Sequence, residues 1–95
     1  VNNLPIASKV YLQAKEYIIY AENVSISLNE NINSSIVYQI KSTIKSIVES
    51  TEFVLLTLET EDQQTLFSKI TKQSFKRLSL ELNLKVYANF KASYK

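Results

Sequence analysis

Lys91-Ala92-Ser93 sets an ammonium, a small side chain and a hydroxyl next to one another near the end of the chain. A Ser–Lys dyad is one chemistry such residues offer, but no spacing in the sequence argues for one. The 95 residues include no His and no Cys, so the usual nucleophile–base pairs and transition-metal sites are excluded. They include no Gly, which excludes the glycine-rich phosphate loops of the Walker and dinucleotide-binding types. Lys72, Lys76 and Arg77 form the densest basic spot, and on a short amphipathic stretch they read as its solvated face. Six tyrosines offer stacking platforms for bases. Without a basic stripe beside them, they read instead as core and interface residues with a polar tip. Ser34-Ser35, taken alone, reads as the start of a strand. The chain is expected not to be an enzyme.

The elements that must position these residues are mostly strands. Leu84, Val86, Ala88, Phe90, Ala92 and Tyr94 alternate with polar or charged neighbours, the period-two pattern of a half-buried strand held from 84 to 94. Upstream, the spacing predicts an irregular lead-in over 1–9, a β pattern from Val10 through Ala14 and on through Tyr17-Ile18-Ile19-Tyr20, a bend at Ala21-Glu22-Asn23, and a strand carrying Val24, Ile26 and Leu28. Asn29 to Ser34 has loop composition.

Residues 35–50 fit two patterns. Ile36, Ile40, Ile44 and Ile47 share a helix face, while Ile36, Tyr38, Ile40, Ile44 and Val48 share a strand face. The Ile, Val, Thr and Ser content favours a long, bent strand. Phe53 to Leu58 is apolar on both faces, so this strand is expected to be central or covered by a partner. After an acidic turn, Gln64 to Ile70 reads as a strand and Thr71 as the cap of a short helix with Phe75, Leu78 and Leu82 in line. Asn83 then reverses the chain. With no glycine to supply positive φ, Asn23, Asn31, Asn33, Asp62 and Asn83 are the available substitutes, and Asn83 in particular is expected to be left-handed.

Ninety-five residues and a 45% apolar fraction describe one domain with a single modest core. The expected fold is all-β: a small OB-like barrel of about six or seven strands with one short helix, closed or extended by pairing with a partner. A net charge of +2, spread over isolated lysines, gives no nucleic-acid footprint. No apolar run approaches the roughly 20 residues of a membrane span, and no signal peptide is visible. The missing cysteines fit the cytoplasm.

Four stretches, in order, resemble the TOBE (molbindin-like) domain, in particular the one at the C-terminus of the ATP-binding subunit of molybdate ABC importers. They are Val10-Tyr11-Leu12-Gln13 with Ala21 to Leu28, then Ser34-Ser35-Ile36-Val37-Tyr38, then Ile44-Lys45-Ser46-Ile47, and finally Ile70 to Ser93. The resemblance runs over about residues 10–94 and places a single TOBE/OB-like domain at 10–95. It implies a domain that binds molybdate or tungstate, pairs as a homodimer, and works with its parent ATPase and a membrane permease at the cytoplasmic face, with no nucleic-acid partner.

On the matching positions, the resemblance assigns oxyanion binding to Ser34, Ser35 and Ile36 from one loop and to Lys91, Ala92 and Ser93 from another. A tetrahedral dianion only accepts hydrogen bonds, so hydroxyls, backbone amides and one ammonium suit it. The sequence departs from the pattern at Val37, where free molbindins carry Arg, and at Tyr38, where the family carries Asn. Ser42, Ser79 and Asn83 replace glycines or small residues. Two other readings stay open beside this one: a domain that only pairs ATPase subunits, and a free-standing molybdate-binding molbindin, against which the long leading segment 1–30 argues.

Overall fold

The computed structural model describes residues 6–30 and 38–91. Seven strands and one helix follow in order: β1 (Ala7–Leu12), β2 (Lys15–Tyr20), a 3-10 turn (Ala21–Asn23), β3 (Ser25–Ser27), β4 (Tyr38–Glu49), β5 (Phe53–Thr60), β6 (Thr65–Thr71), α1 (Lys72–Leu78) and β7 (Lys85–Phe90). The last five strands form one antiparallel sheet in the order β3-β7-β4-β5-β6, curled into a half-barrel. β1 and β2 form a separate hairpin. This is the expected small, mostly-β, OB-like fold.

The hairpin departs from the expected continuous β run. β1 begins at Ala7, ahead of the expected start at Val10, and ends at Leu12. Gln13 (φ 53°) and Ala14 (φ 66°) are both left-handed and turn the chain straight into β2. Positive φ at both central residues is what a two-residue hairpin needs to match the twist of its strands. Neither residue advertises it, which is why the turn is invisible in the sequence.

Over its described residues the ambiguous stretch is a strand, β4 (Tyr38–Glu49), and its bend has a specific cause. Ile44 pairs with Leu58 but Ser46 pairs with Thr57, so Lys45 is an extra residue. Such a bulge flips the alternation that follows it. Ser42 and Ile44 are buried before it, and Ile47 packs against the core after it. Val48, expected on the same face as Ile44, is instead 55% exposed. The spacing of four, four and three that imitates a helix is a strand pattern interrupted by one bulge.

β5 sits between β4 and β6, the central place its two apolar faces call for. Val54, Leu56, Leu58 and Thr60 are buried, with Phe53, Leu55 and Thr57 half-buried on the other side. In β7, Val86, Ala88 and Phe90 point into the core, as the period-two pattern predicts. The strand ends at Phe90 rather than continuing toward 94, and residues 92–95 lie outside the described part.

Thr71 caps α1 as expected, its Oγ1 accepting from Ser74 N–H at 3.0 Å. The helix stops before the expected line of Phe75, Leu78 and Leu82 is complete. Ser79 turns left-handed (φ 53°, ψ 48°), its N–H donates to Lys76 C=O, and Leu80 N–H donates to Phe75 C=O. This is a Schellman closure. It drops Leu80 into the core and leaves Leu82 55% exposed. Asn83 (φ 70°) is left-handed as expected, but Gln13, Ala14, Gln63 and Ser79 supply the other positive φ values. Asn23 and Asp62 do not take that conformation, and Asn31 and Asn33 lie outside the described residues.

Side chains, not a ladder, tie the hairpin to the half-barrel. The Gln64 side-chain amide accepts from Tyr11 N–H (2.6 Å) and donates to Tyr11 C=O (3.0 Å). Ser8 Oγ accepts from Phe67 N–H at 2.9 Å. Ser68 Oγ, fully buried, donates to Val24 C=O at 2.6 Å and ties the segment before β3 to β6.

Candidate functional site

The described residues that flank the expected site segments meet at one end of the sheet. Tyr38, the first residue of β4, pairs with Phe90, the last residue of β7, and Lys91 follows directly. β4 therefore begins and β7 ends at the same end of the sheet. Of the six expected binding residues only Lys91 is described. Ser34, Ser35, Ile36, Ala92 and Ser93 lie outside the described residues, as does Val37. Lys91 is exposed and forms no ion pair among the described residues.

Three rings wall that end. Tyr38, where the family pattern has Asn, stacks on Phe90 with centroids 5.8 Å apart and planes at 17°. Tyr17, from β2, also meets Tyr38, with centroids 6.4 Å apart and planes at 47°. Phe90 is buried and Tyr38 is 37% exposed, so the Tyr38 ring is held by apolar packing with one side still open. The hairpin thus contributes directly to the site's wall.

The outer face of β3, β7 and the first half of β4 is polar and cationic. Register places Ser25 and Gln39 on either side of Asn89, and Ser27 and Lys41 on either side of Tyr87. Lys85 pairs with Thr43 one step further along. No Asp or Glu occurs in β3, in β7, or from Tyr38 to Ile44, so Lys41, Lys85 and Lys91 bias this face toward anions, with Glu59 at its margin across from Thr43.

Asn89 was not singled out by its sequence. Its Nδ2 donates to Ser27 Oγ (3.1 Å), which donates in turn to Asn29 C=O (2.9 Å). Its Oδ1 is buried and has no hydrogen-bond partner among the described residues. An acceptor left this way costs on the order of 1–3 kcal/mol. One strand position away from Phe90 and two from Lys91, it reads in the sequence as an ordinary polar member of an alternating strand, and only the register reveals its neighbours.

Elsewhere, Asp62 closes the β5–β6 turn. A hydrogen bond from the Thr60 hydroxyl, and then one from the Gln64 amide, hold its carboxyl below the ordinary value of 3.8. Among the described residues no group of three or more His, Cys, Asp or Glu gathers to hold a metal ion, and no helix is long and apolar enough to cross a membrane.

The family model described as the TOBE domain matches residues 34–94. The matched stretch opens at Ser34 and runs past Ser93, so it contains β4 through β7 and all six expected binding residues, while β1, β2 and β3 precede it. No curated protein matches the chain.

Proposed function

The chain belongs to the TOBE domain family, and from that premise we propose that it is the regulatory domain of a molybdate or tungstate ABC importer ATPase. TOBE domains are associated with molybdate-binding regulation of transport. In this reading the domain pairs with a second copy and binds the oxyanion on the cytoplasmic side, and ATP hydrolysis is left to the parent ATPase. Ser34, Ser35 and Ile36 supply hydroxyl and amide donors, Ala92 and Ser93 supply more, and Lys91 supplies the charge-assisted bond.

The observation that carries the reading is the Tyr38–Phe90 pair. It sets the start of β4 beside the end of β7, at one end of a face that carries Lys41, Lys85 and Lys91. Regulation then follows by linkage: an oxyanion that binds one arrangement of the paired domains more tightly shifts the transporter toward that arrangement.

Titration calorimetry of the 95-residue chain with molybdate, tungstate and sulfate tests the assignment. Binding of the first two with sulfate silent is the expected result. Silence for all three on a folded chain favours the pairing-only reading, for which Tyr38 in place of Asn is the specific observation.

A further inference from the structure

Among the described residues, Asn89 Oδ1 is the one buried side-chain atom with no hydrogen bond. The amide is half used. Its Nδ2 donates to Ser27 Oγ at 3.1 Å, and the Ser27 hydroxyl donates onward to Asn29 C=O at 2.9 Å. A buried polar atom left over in this way is uncommon and calls for a cause. Its neighbours are donors. Ser25 stands directly across from Asn89 on β3, and Lys91 follows two positions along the chain. Ser25 Oγ reaches Asn89 C=O only at 3.5 Å, long for a hydroxyl donor, so that hydroxyl is weakly held. Lys41 and Lys85 lie further along the same face.

We propose that Asn89 is a further binding residue for the oxyanion, and that its amide turns over on binding so that Nδ2 donates to the ligand. This rests on the oxyanion reading and adds a residue that the family pattern does not assign. A turned amide keeps its shape while its acceptor and its two donors change places. In the free chain the observed orientation wins, because it preserves the bond from Ser27 to Asn29. After the turn, Oδ1 accepts from the Ser27 hydroxyl, Asn29 C=O is released, and Nδ2 occupies the place that Oδ1 held. A dianion only accepts hydrogen bonds, so it uses that donor. The bond it accepts is roughly twice as strong as the neutral one given up. Without the dianion the turn gains nothing, so the exchange depends on the ligand.

The spacing suits one small ligand. Residues directly across an antiparallel pair have Cβ atoms roughly 5 Å apart, and two steps along a strand cover roughly 7 Å. A tetrahedral oxyanion whose oxygens each accept at about 2.8 Å bridges groups at such separations. Ser25, Asn89 and Lys91 thus offer it a hydroxyl, an amide and an ammonium, each a different kind of donor.

Calorimetry with molybdate on the native chain and on Asn89→Ala tests this. The variant is expected to bind about tenfold more weakly, the loss of one charge-assisted bond. Its melting temperature should be unchanged or raised, because one neutral bond and one orphaned acceptor disappear together. A purely structural amide gives the reverse, a lower melting temperature with native affinity. Asn89→Asp keeps the shape, offers no donor and adds a negative charge, so its affinity is expected to fall further. In proton–nitrogen correlation spectra of the native chain, one side-chain NH2 pair is expected to shift when molybdate is added. That pair is the one missing from the spectrum of Asn89→Ala. If the native chain binds molybdate and both variants bind it equally well, Asn89 is not a ligand and the oxyanion reading stands. A native chain silent to molybdate and tungstate overturns both.

Discussion

Gln64 does with one side chain what a strand does with its backbone: its amide offers Tyr11 one acceptor and one donor, the same pair a peptide group would present. Asp62 holds the Gln64 NH2 group in place by accepting from it at 2.8 Å. Gln64→Ala should cost on the order of 1–2 kcal/mol in urea unfolding, two net hydrogen bonds' worth, and loosen the hairpin first. The Asp62 carboxyl is depressed in the folded chain, so its contribution is present above the unfolded value of 3.8 and is lost as pH falls through the lower folded value. Thermal unfolding should therefore show Asp62→Asn slightly less stable at neutral pH, with the gap closing in strong acid. At the site itself, Lys91→Ala should weaken molybdate binding about tenfold by calorimetry, with melting temperature unchanged, since one charge-assisted bond is lost from an exposed position. The left-handed Asn83 was legible in the sequence because asparagine tolerates that conformation. Gln63 and Ser79 were not, because their conformation is set by the turn and helix closure around them rather than by their own preference.

Among the elements, the bulge in β4 is the feature sequence periodicity cannot resolve. A three-residue step between Ile44 and Ile47 is the trace it leaves, but the same step belongs to a helix. Ile47→Ala should destabilise by roughly 1–2 kcal/mol while Val48→Ala stays within about 0.5 kcal/mol, as measured by urea unfolding. Equal losses would mean that the alternation is not flipped. The end of α1 is similar: Phe75 and Leu78 were legible as its buried stripe, yet Leu80 rather than Leu82 completes it. Only a left-handed Ser79 brings Leu80 around. Ser79→Gly should stabilise by up to about 1 kcal/mol, because glycine takes positive φ without the Cβ cost.

At the scale of the whole molecule, the strands themselves were largely legible, since alternation in β5 and β7 is strong. Their order was not. Periodicity reports which face a residue uses, whereas neighbours across a sheet are chosen by long-range packing and by which edges remain free. The separation of β1–β2 from the main sheet was hidden for the same reason, and so was the placement of Tyr17 against Tyr38. Five of the six residues assigned to the oxyanion fall outside the described part, so the sequence remains their source. What the fold adds is the pairing of Tyr38 with Phe90, which sets the start of β4 beside the end of β7.

β7 is the last strand of the chain and yet lies second in its sheet, between β3 and β4, with Ser25 beside Asn89. During synthesis, β3 must wait for residues more than sixty positions downstream before it has any sheet partner. β4, β5 and β6 can already form a meander, but β3 cannot join it. Such non-local pairing folds slowly and leaves unpaired strands open to misassociation. A nascent chain that stalls before Lys85 thus holds a meander with the hairpin fastened to it only through the Tyr11–Gln64, Ser8–Phe67 and Ser68–Val24 side-chain bonds, and a β3 segment with no strand beside it.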